Sequence, residues 1–250
     1  GGLRLYKTGR SFLLGEDISL DFATLHSNFD LKDYEDNIVA TTAFGQGETL
    51  VTPLQMAMIT QSIANDGEML KPYLFKSVVN GKGKTTQEGK TEKLVKTMDV
   101  DTAEEIKEVM KEAGESYGLS EVGEQGYSIA AKTGTAERGD GTNNAWLVTF
   151  APVDDPQILL YVVVDEPNTE DQADSKYPQY IAQGILSELL PYLNVIPDES
   201  EDGSVPETEL WEGFKGHLVD VSGSSVDEKG NLVDGSGNRV DLEGNRIDEN

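Results

Sequence analysis

The apolar positions of the chain fall into helical and strand-like patterns that end near Pro197. Thr52-Pro53 followed by LQMAMITQSIA places a hydroxyl N-cap before a proline at the first helical position. The segment is apolar on most sides, which predicts a buried helix. Asn65-Asp66-Gly67 is expected to end it, because Gly accepts a left-handed backbone. A second helix is expected from Asp101, with Glu104 at capping-box spacing. Ala103, Ile106, Val109, Met110 and Ala113 form its apolar stripe, which predicts packing on a sheet, and Gly114 is expected to stop it. A third helix is expected from about Pro178 to Leu190, with Ile181, Ile185 and Leu189 on one face.

Strand patterns lie between the second and third helices, at Tyr127–Thr133, Ala145–Ala151 and Ile158–Asp165. The last two are separated by Pro152-Val153-Asp154-Asp155-Pro156, a turn-rich link that favours an antiparallel hairpin. ILLYVVV is apolar throughout, as in a strand covered on both faces. The expected class is therefore mixed α/β of the α+β type: an antiparallel sheet flanked by helices. The polar run at 80–93 reads as an exposed excursion.

Charge divides the chain. Its 250 residues carry 46 acidic and 20 basic side chains, a net charge of −26, with 2 His and no Cys. From Asp198 to Asn250 there are 15 acidic and 4 basic residues, while nearly all long apolar segments lie upstream. Two regions are expected: a body at 1–196 and an irregular acidic tail at 197–250. From Val226 the tail repeats every seven residues, with Val226, Val233, Val240 and Ile247 each followed by Asp. One apolar position per repeat with recurring Gly-Asn is turn chemistry, not a coiled coil. Low apolar content with high charge favours a disordered, solvated tail. A calcium-binding turn array and a degenerate cell-wall repeat are the other readings. Trp211 and Phe214 are the tail's aromatic residues.

Composition removes several function classes. Without Cys there is no thiol nucleophile, thiolate zinc site, iron–sulfur cluster or disulfide framework. The negative charge disfavours nucleic acid and anionic lipid as partners. No apolar run reaches the roughly 18 residues that span a bilayer. The N-terminus GGLRLYKTGR has neither an initiator Met nor a signal-peptide pattern, so a fragment or processed piece is expected.

The candidate chemistry is in SIAAKTGTAE, at 128–137. A Lys, a hydroxyl and a Gly at the end of a buried strand suit carboxylate binding along a strand edge. Gly134 is expected to leave that edge unobstructed for a ligand. A second K-T-G, Lys7-Thr8-Gly9, follows a polar, unpatterned start and carries no such context.

Over roughly residues 1–195 the sequence resembles the C-terminal half of a class B penicillin-binding protein transpeptidase domain. The resemblance rests on LYKTGRSFLLGE, TAFGQGETLVTPLQMAMITQSIANDGEMLKPYL, AAKTGTAE, NAWLVTFAP and ILLYVVVDEP, in the family's order. It implies an incomplete serine β-lactamase/transpeptidase-like fold and acyl transfer from D-Ala-D-Ala stem peptides, with β-lactams as inhibitors. It implies that Lys132 supplies positive charge at the nucleophile and the substrate carboxylate, and that the Thr133 and Thr135 hydroxyls bind that carboxylate. By the same resemblance Gly134 completes the motif, and the Thr135 N–H is expected to be one of two oxyanion donors. Gln46, in Gly45-Gln46-Gly47, is either a loop-stabilising amide or a substrate contact. No cofactor or metal is implied.

The chain is read as lacking the family's S-x-x-K nucleophile and S-x-N motif, so it is expected to be inactive alone and to need an N-terminal half as partner. A cell-envelope location at the outer face of the cytoplasmic membrane follows from the family. A non-catalytic peptidoglycan- or partner-binding remnant is the alternative, as is a β-lactamase or β-lactam sensor relative. The Gly-Gln-Gly block and its following helix argue against the last.

Overall fold

The structure is a computed structural model that describes residues 1–18, 20, 22–167, 172–208, 218–219, 225–226 and 239–240. It divides into two compact units, Gly1–Leu186 with Pro197–Gly203, and Ser187–Ile196 with Ser204–Asn250. The first begins with helices α1 (Gly2–Ser11), α2 (Asp36–Ala43) and α3 (Pro53–Ala64). The start of α3 follows its sequence: the Thr52 hydroxyl accepts the Gln55 amide at 3.1 Å. Its end does too, because Gly67 has φ +85° and a Cβ there would lie 2.3 Å from the Met98 carbonyl oxygen.

Strand β1 (Glu68–Leu70) pairs antiparallel with β4 (Lys93–Lys96), and β2 (Ser77–Val79) pairs antiparallel with β3 (Thr85–Glu88). The second hairpin is exposed throughout, as the polar run predicts. Helices α4 (Val100–Ser116) and α5 (Ser120–Glu124) precede strands β5 (Ala130–Glu137), β6 (Asn143–Ala151) and β7 (Ile158–Asp165). Helix α6 spans Lys176–Tyr192. The second unit contains a two-stranded antiparallel ribbon of β8 (Leu218–Val219) and β9 (Ser225–Val226). Within it the Thr208 hydroxyl donates to the Glu188 carbonyl at 3.3 Å.

The three-stranded sheet has the order β5-β6-β7, antiparallel throughout. Central strand β6 is buried on both faces. Val148 and Phe150 join Ala130, Met110 and Val153 in one core, against which Ile63, Ala64 and Ile106 of the helices pack. Leu147, Thr149 and Ala151 point the other way and are also fully buried. A smaller core of Phe29, Leu31 and Ile38 forms under α1 and α2. The expected architecture of helices around an antiparallel sheet is therefore present.

Several boundaries move. Helix α4 starts at Val100 with Asp99 at its N-cap position, so Asp101 lies in the first turn and makes no capping box. Gly114 lies inside the helix instead of ending it. Its missing side chain lets the helix approach the chain entering β5, where a Cβ would meet the Ile129 carbonyl oxygen at 2.2 Å. Ala103 and Met110 of the stripe are buried, but Val109 is 66 % exposed. In α6, Ile181 and Ile185 are 45 % and 39 % exposed, whereas Pro178, Ala182 and Leu186 are buried. Two amides from α6 hold α5 and its approach: Gln179 Oε1 accepts the Gly118 N–H at 3.0 Å, and Gln183 Oε1 accepts the Glu121 N–H at 3.4 Å.

Strand β5 starts at Ala130, not Tyr127, because Ser128 is tied elsewhere. The Asp198 carboxylate accepts the Ser128 N–H at 2.8 Å and also its hydroxyl proton. The Ser128 Oγ in turn accepts the Val153 N–H at 2.8 Å. The Glu199 N–H donates to the Gly126 carbonyl at 2.9 Å, and its carboxylate pairs with Lys111 at 2.7 Å. That hydrogen bond raises the Lys111 ammonium above its ordinary pKa. Pro197–Gly203, counted with the tail on charge, thus clusters with the first unit. Trp211, Phe214 and most of the seven-residue repeats lie outside the described residues.

Gly114→Ala should destabilise the first unit by about 1–3 kcal/mol in urea unfolding, because overpacking against a backbone carbonyl outweighs the helix preference for Ala. An unchanged or raised midpoint would contradict the close approach. Burial pushes the Tyr127 phenol up from 10.0 to about 12. The folded state therefore holds this proton more tightly than the unfolded chain does. That contribution is fully present below about pH 10 and is lost as pH climbs towards about 12. Stability measured across this range should fall less steeply in Tyr127→Phe than in wild type.

Candidate active site

Strand β5 pairs only with β6, so among the described residues it is an edge strand with one row of backbone groups that no neighbouring strand pairs. Its sequence changes character along its length. Ala130 and Ala131 are small and fully buried, after which Lys132 is exposed and Thr133 to Ala136 are half-buried. The K-T-G motif lies within the strand instead of at its end, because pairing with β6 continues to Glu137↔Asn143. Lys132 and Gly134 lie on one face and Thr133 and Thr135 on the other.

The Lys132 Nζ donates to the neighbouring Thr133 carbonyl at 2.5 Å. Among the described residues it forms no ion pair. An ammonium has three protons, so donors remain for an incoming acceptor. The Thr133 hydroxyl lies 3.2 Å from the Tyr117 hydroxyl. The Thr135 hydroxyl donates to the Ala173 carbonyl at 3.2 Å.

Gly134 also has a packing role. A Cβ there would lie 2.0 Å from Trp146 Cζ2, so the indole fills the space. Trp146 also packs against Tyr161, with ring centroids 5.9 Å apart. The glycine lets an aromatic side chain cross this face of the strand.

Gln46 reaches β5 from a loop 89 residues earlier in the chain, its Nε2 donating to the Thr135 carbonyl at 3.2 Å. Gly45 and Gly47 give this loop its shape, with φ of +81° and +88°. A Cβ on Gly47 would also meet Thr41 Oγ1 at 2.6 Å. The amide therefore supports the backbone of the candidate site. Lys7-Thr8-Gly9, in contrast, is on α1, where Gly9 lies beneath the Phe29 ring.

These residues form a cation and two hydroxyls along an open strand edge, which suits a carboxylate at the end of an extended peptide. Nothing among them pairs a nucleophile with a general base. The chain contains no S-x-x-K, as expected, but it does contain one S-x-N, Ser236-Gly237-Asn238, contrary to the expectation of none. That triplet lies in the acidic repeats, outside the described residues. Sequence reasoning missed Tyr117, Trp146 and Ala173.

Comparison with known proteins gives a consistent result. The family model for the penicillin binding protein transpeptidase domain matches residues 1–187. Stage V sporulation protein D of Bacillus subtilis is 30% identical over 213 residues, covering 80% of this chain and 32% of that protein. Peptidoglycan D,D-transpeptidase PbpA of Mycolicibacterium smegmatis is 33% identical over 129 residues, covering 50% of this chain and 26% of that protein. The imipenem acyl-enzyme complex of penicillin-binding protein A from M. tuberculosis superposes with a TM-score of 0.64 at 25% identity, covering 74% of this chain and 43% of that one. The chain thus spans 32% or less of the length of these two curated relatives.

Gly134→Ala should displace the Trp146 indole and cost about 1–3 kcal/mol by overpacking. Urea unfolding followed by Trp emission should show a lower midpoint and a red-shifted folded spectrum. A wild-type spectrum and midpoint would mean that the strand has room for the methyl group.

Proposed function

The chain belongs to the penicillin-binding protein transpeptidase family, and from that premise we propose that it forms the carboxylate-binding side of a peptidoglycan D,D-transpeptidase site. The observation that carries this reading is Lys132, exposed and without an ion-pair partner among the described residues, on an edge strand that also carries the hydroxyls of Thr133 and Thr135. The substrate is a stem peptide ending in D-Ala-D-Ala. Its terminal carboxylate leaves water to enter the cleft, and leaving it unpaired there is costly. The Lys132 ammonium offsets that cost, and the Thr133 and Thr135 hydroxyls accompany it with neutral donors. Thr135 must turn its hydroxyl away from Ala173 to do so. The peptide lies against β5 as an added strand, and the Thr135 N–H stabilises the oxyanion of the tetrahedral intermediate.

The attacking Ser and its Lys, in the family's S-x-x-K, are supplied by sequence outside these 250 residues. There the Ser oxygen bonds to the carbonyl carbon of the penultimate D-Ala while the peptide nitrogen leaves with a proton as D-Ala. A second peptide's amine then takes the acyl group and frees the Ser. β-Lactams enter by the same route, as imipenem does in the acyl-enzyme of the M. tuberculosis relative. The work belongs to the bacterial envelope, at the outer face of the cytoplasmic membrane. The absence of S-x-x-K from the chain favours a second reading, a peptidoglycan- or partner-binding remnant without chemistry.

Acylation separates the two. The chain by itself should show no adduct with a fluorescent penicillin by intact mass. Joined to an N-terminal transpeptidase segment carrying S-x-x-K, it should be acylated. Lys132→Ala should then slow acylation roughly 10²–10³-fold, comparable to losing an oxyanion donor. Lys7→Ala, on α1, should leave the rate near wild type. A crippled Lys7→Ala, or two unaffected variants, would overturn the assignment of β5.

A further inference from the structure

We infer that Tyr117 is a positioning residue that sets the hydroxyl proton of Thr133 and thereby favours ligands with a free carboxylate; the inference rests on the reading of β5 as the carboxylate-binding strand.

The position of Tyr117 is fixed by its surroundings. It caps the C-terminus of α4, where its N–H donates to the Gly114 carbonyl at 3.2 Å and the chain turns to an extended backbone, φ −89° and ψ 167°. Gly114 holds this helix end against the lead into β5. On the other side, the Leu119 N–H donates to the Tyr117 carbonyl at 2.8 Å, and Gly118 is held by Gln179 of α6. Leu119 is itself fully buried. The phenol ring has only two side-chain torsions, so the anchored backbone leaves its hydroxyl little freedom beside Thr133.

Counting protons shows the consequence. Each hydroxyl has one proton and two acceptor lone pairs. In the structure the Thr133 hydroxyl donates to Tyr117 at 3.2 Å. A carboxylate can only accept. When it arrives, Thr133 gives its proton to the anion, and the Tyr117 phenol turns its own proton onto the Thr133 oxygen. The result is a directed chain from phenol to alcohol to carboxylate, in which each hydrogen bond polarises the next. A phenol is a stronger donor than an alcohol, so Thr133 becomes a better donor to the anion. Without the phenol, Thr133 loses both its orientation and this polarisation. The benefit is greatest for a charged acceptor, because hydrogen bonds to ionised groups are the stronger class. An esterified ligand offers a neutral carbonyl and gains little.

The test uses the chain joined to its S-x-x-K segment, with benzylpenicillin and its methyl ester as paired probes. Tyr117→Phe keeps the ring and removes the oxygen. It should slow acylation by the free acid about tenfold, consistent with one charge-linked hydrogen bond, and leave acylation by the ester and deacylation near wild type. In a Thr133→Val background the same substitution should have no further effect on the free acid. Equal losses with acid and ester would assign Tyr117 a purely structural role and overturn the inference, as would no loss with either or a full effect in Thr133→Val. If Lys132→Ala also fails to distinguish acid from ester, the reading of β5 itself falls. If Lys132→Ala distinguishes them and Tyr117→Phe does not, only the role of Tyr117 falls.

Discussion

The geometry of the candidate site depends on the close approach of α4 to the chain entering β5, made possible where Gly114 meets the Ile129 carbonyl. A helix carrying any side chain at that position would be pushed away from the strand. The approach buries Met110 against Ala130 and Phe150, so the central core and the root of the edge strand form together. It also brings the helix end, with Tyr117, within hydrogen-bonding distance of Thr133. On the same strand Gly134 provides a second close approach, to Trp146. Both glycines let bulky neighbours hold β5 in place, so the strand stays ordered although it has one open edge.

The larger elements were legible because their signals were local. Thr52-Pro53 and Gly67 bound α3 as read, since a cap and a left-handed turn are encoded within a few residues. ILLYVVV became β7 with the bounds read from it, and the turn-rich link gave the hairpin. The misreadings came from contacts distant in sequence. Gly114 looked like a helix stop because the Ile129 carbonyl beside it is visible only in three dimensions. Ile181 and Ile185 make a plausible stripe, yet the buried face of α6 carries Gln179, Ala182 and Leu186, and the amides of Gln179 and Gln183 bond to α5 and its approach. Hydropathy carries no information about such amides. Of the site, Lys132, Thr133 and Thr135 were readable as a motif. Tyr117 and Ala173 were not, because neither belongs to a local pattern.

Asp198 and Glu199 open the acidic stretch, but both carboxylates have specific partners in Ser128 and Lys111. A carboxylate that accepts a backbone N–H and a hydroxyl is a structural group, unlike one surrounded by water.

The Asp198 clamp also bears on the order of assembly. Ser128 sits between two partners, Val153 ahead of it in the chain and Asp198 70 residues away. During synthesis the β5-β6-β7 hairpins can pair as soon as they emerge, but the residues entering β5 have no clamp until α6 and Asp198 have been made. A long-range contact of this kind closes a large loop and tends to form late. The root of β5 is therefore completed by a contact that a growing chain can make only after residue 198 has been added and has emerged.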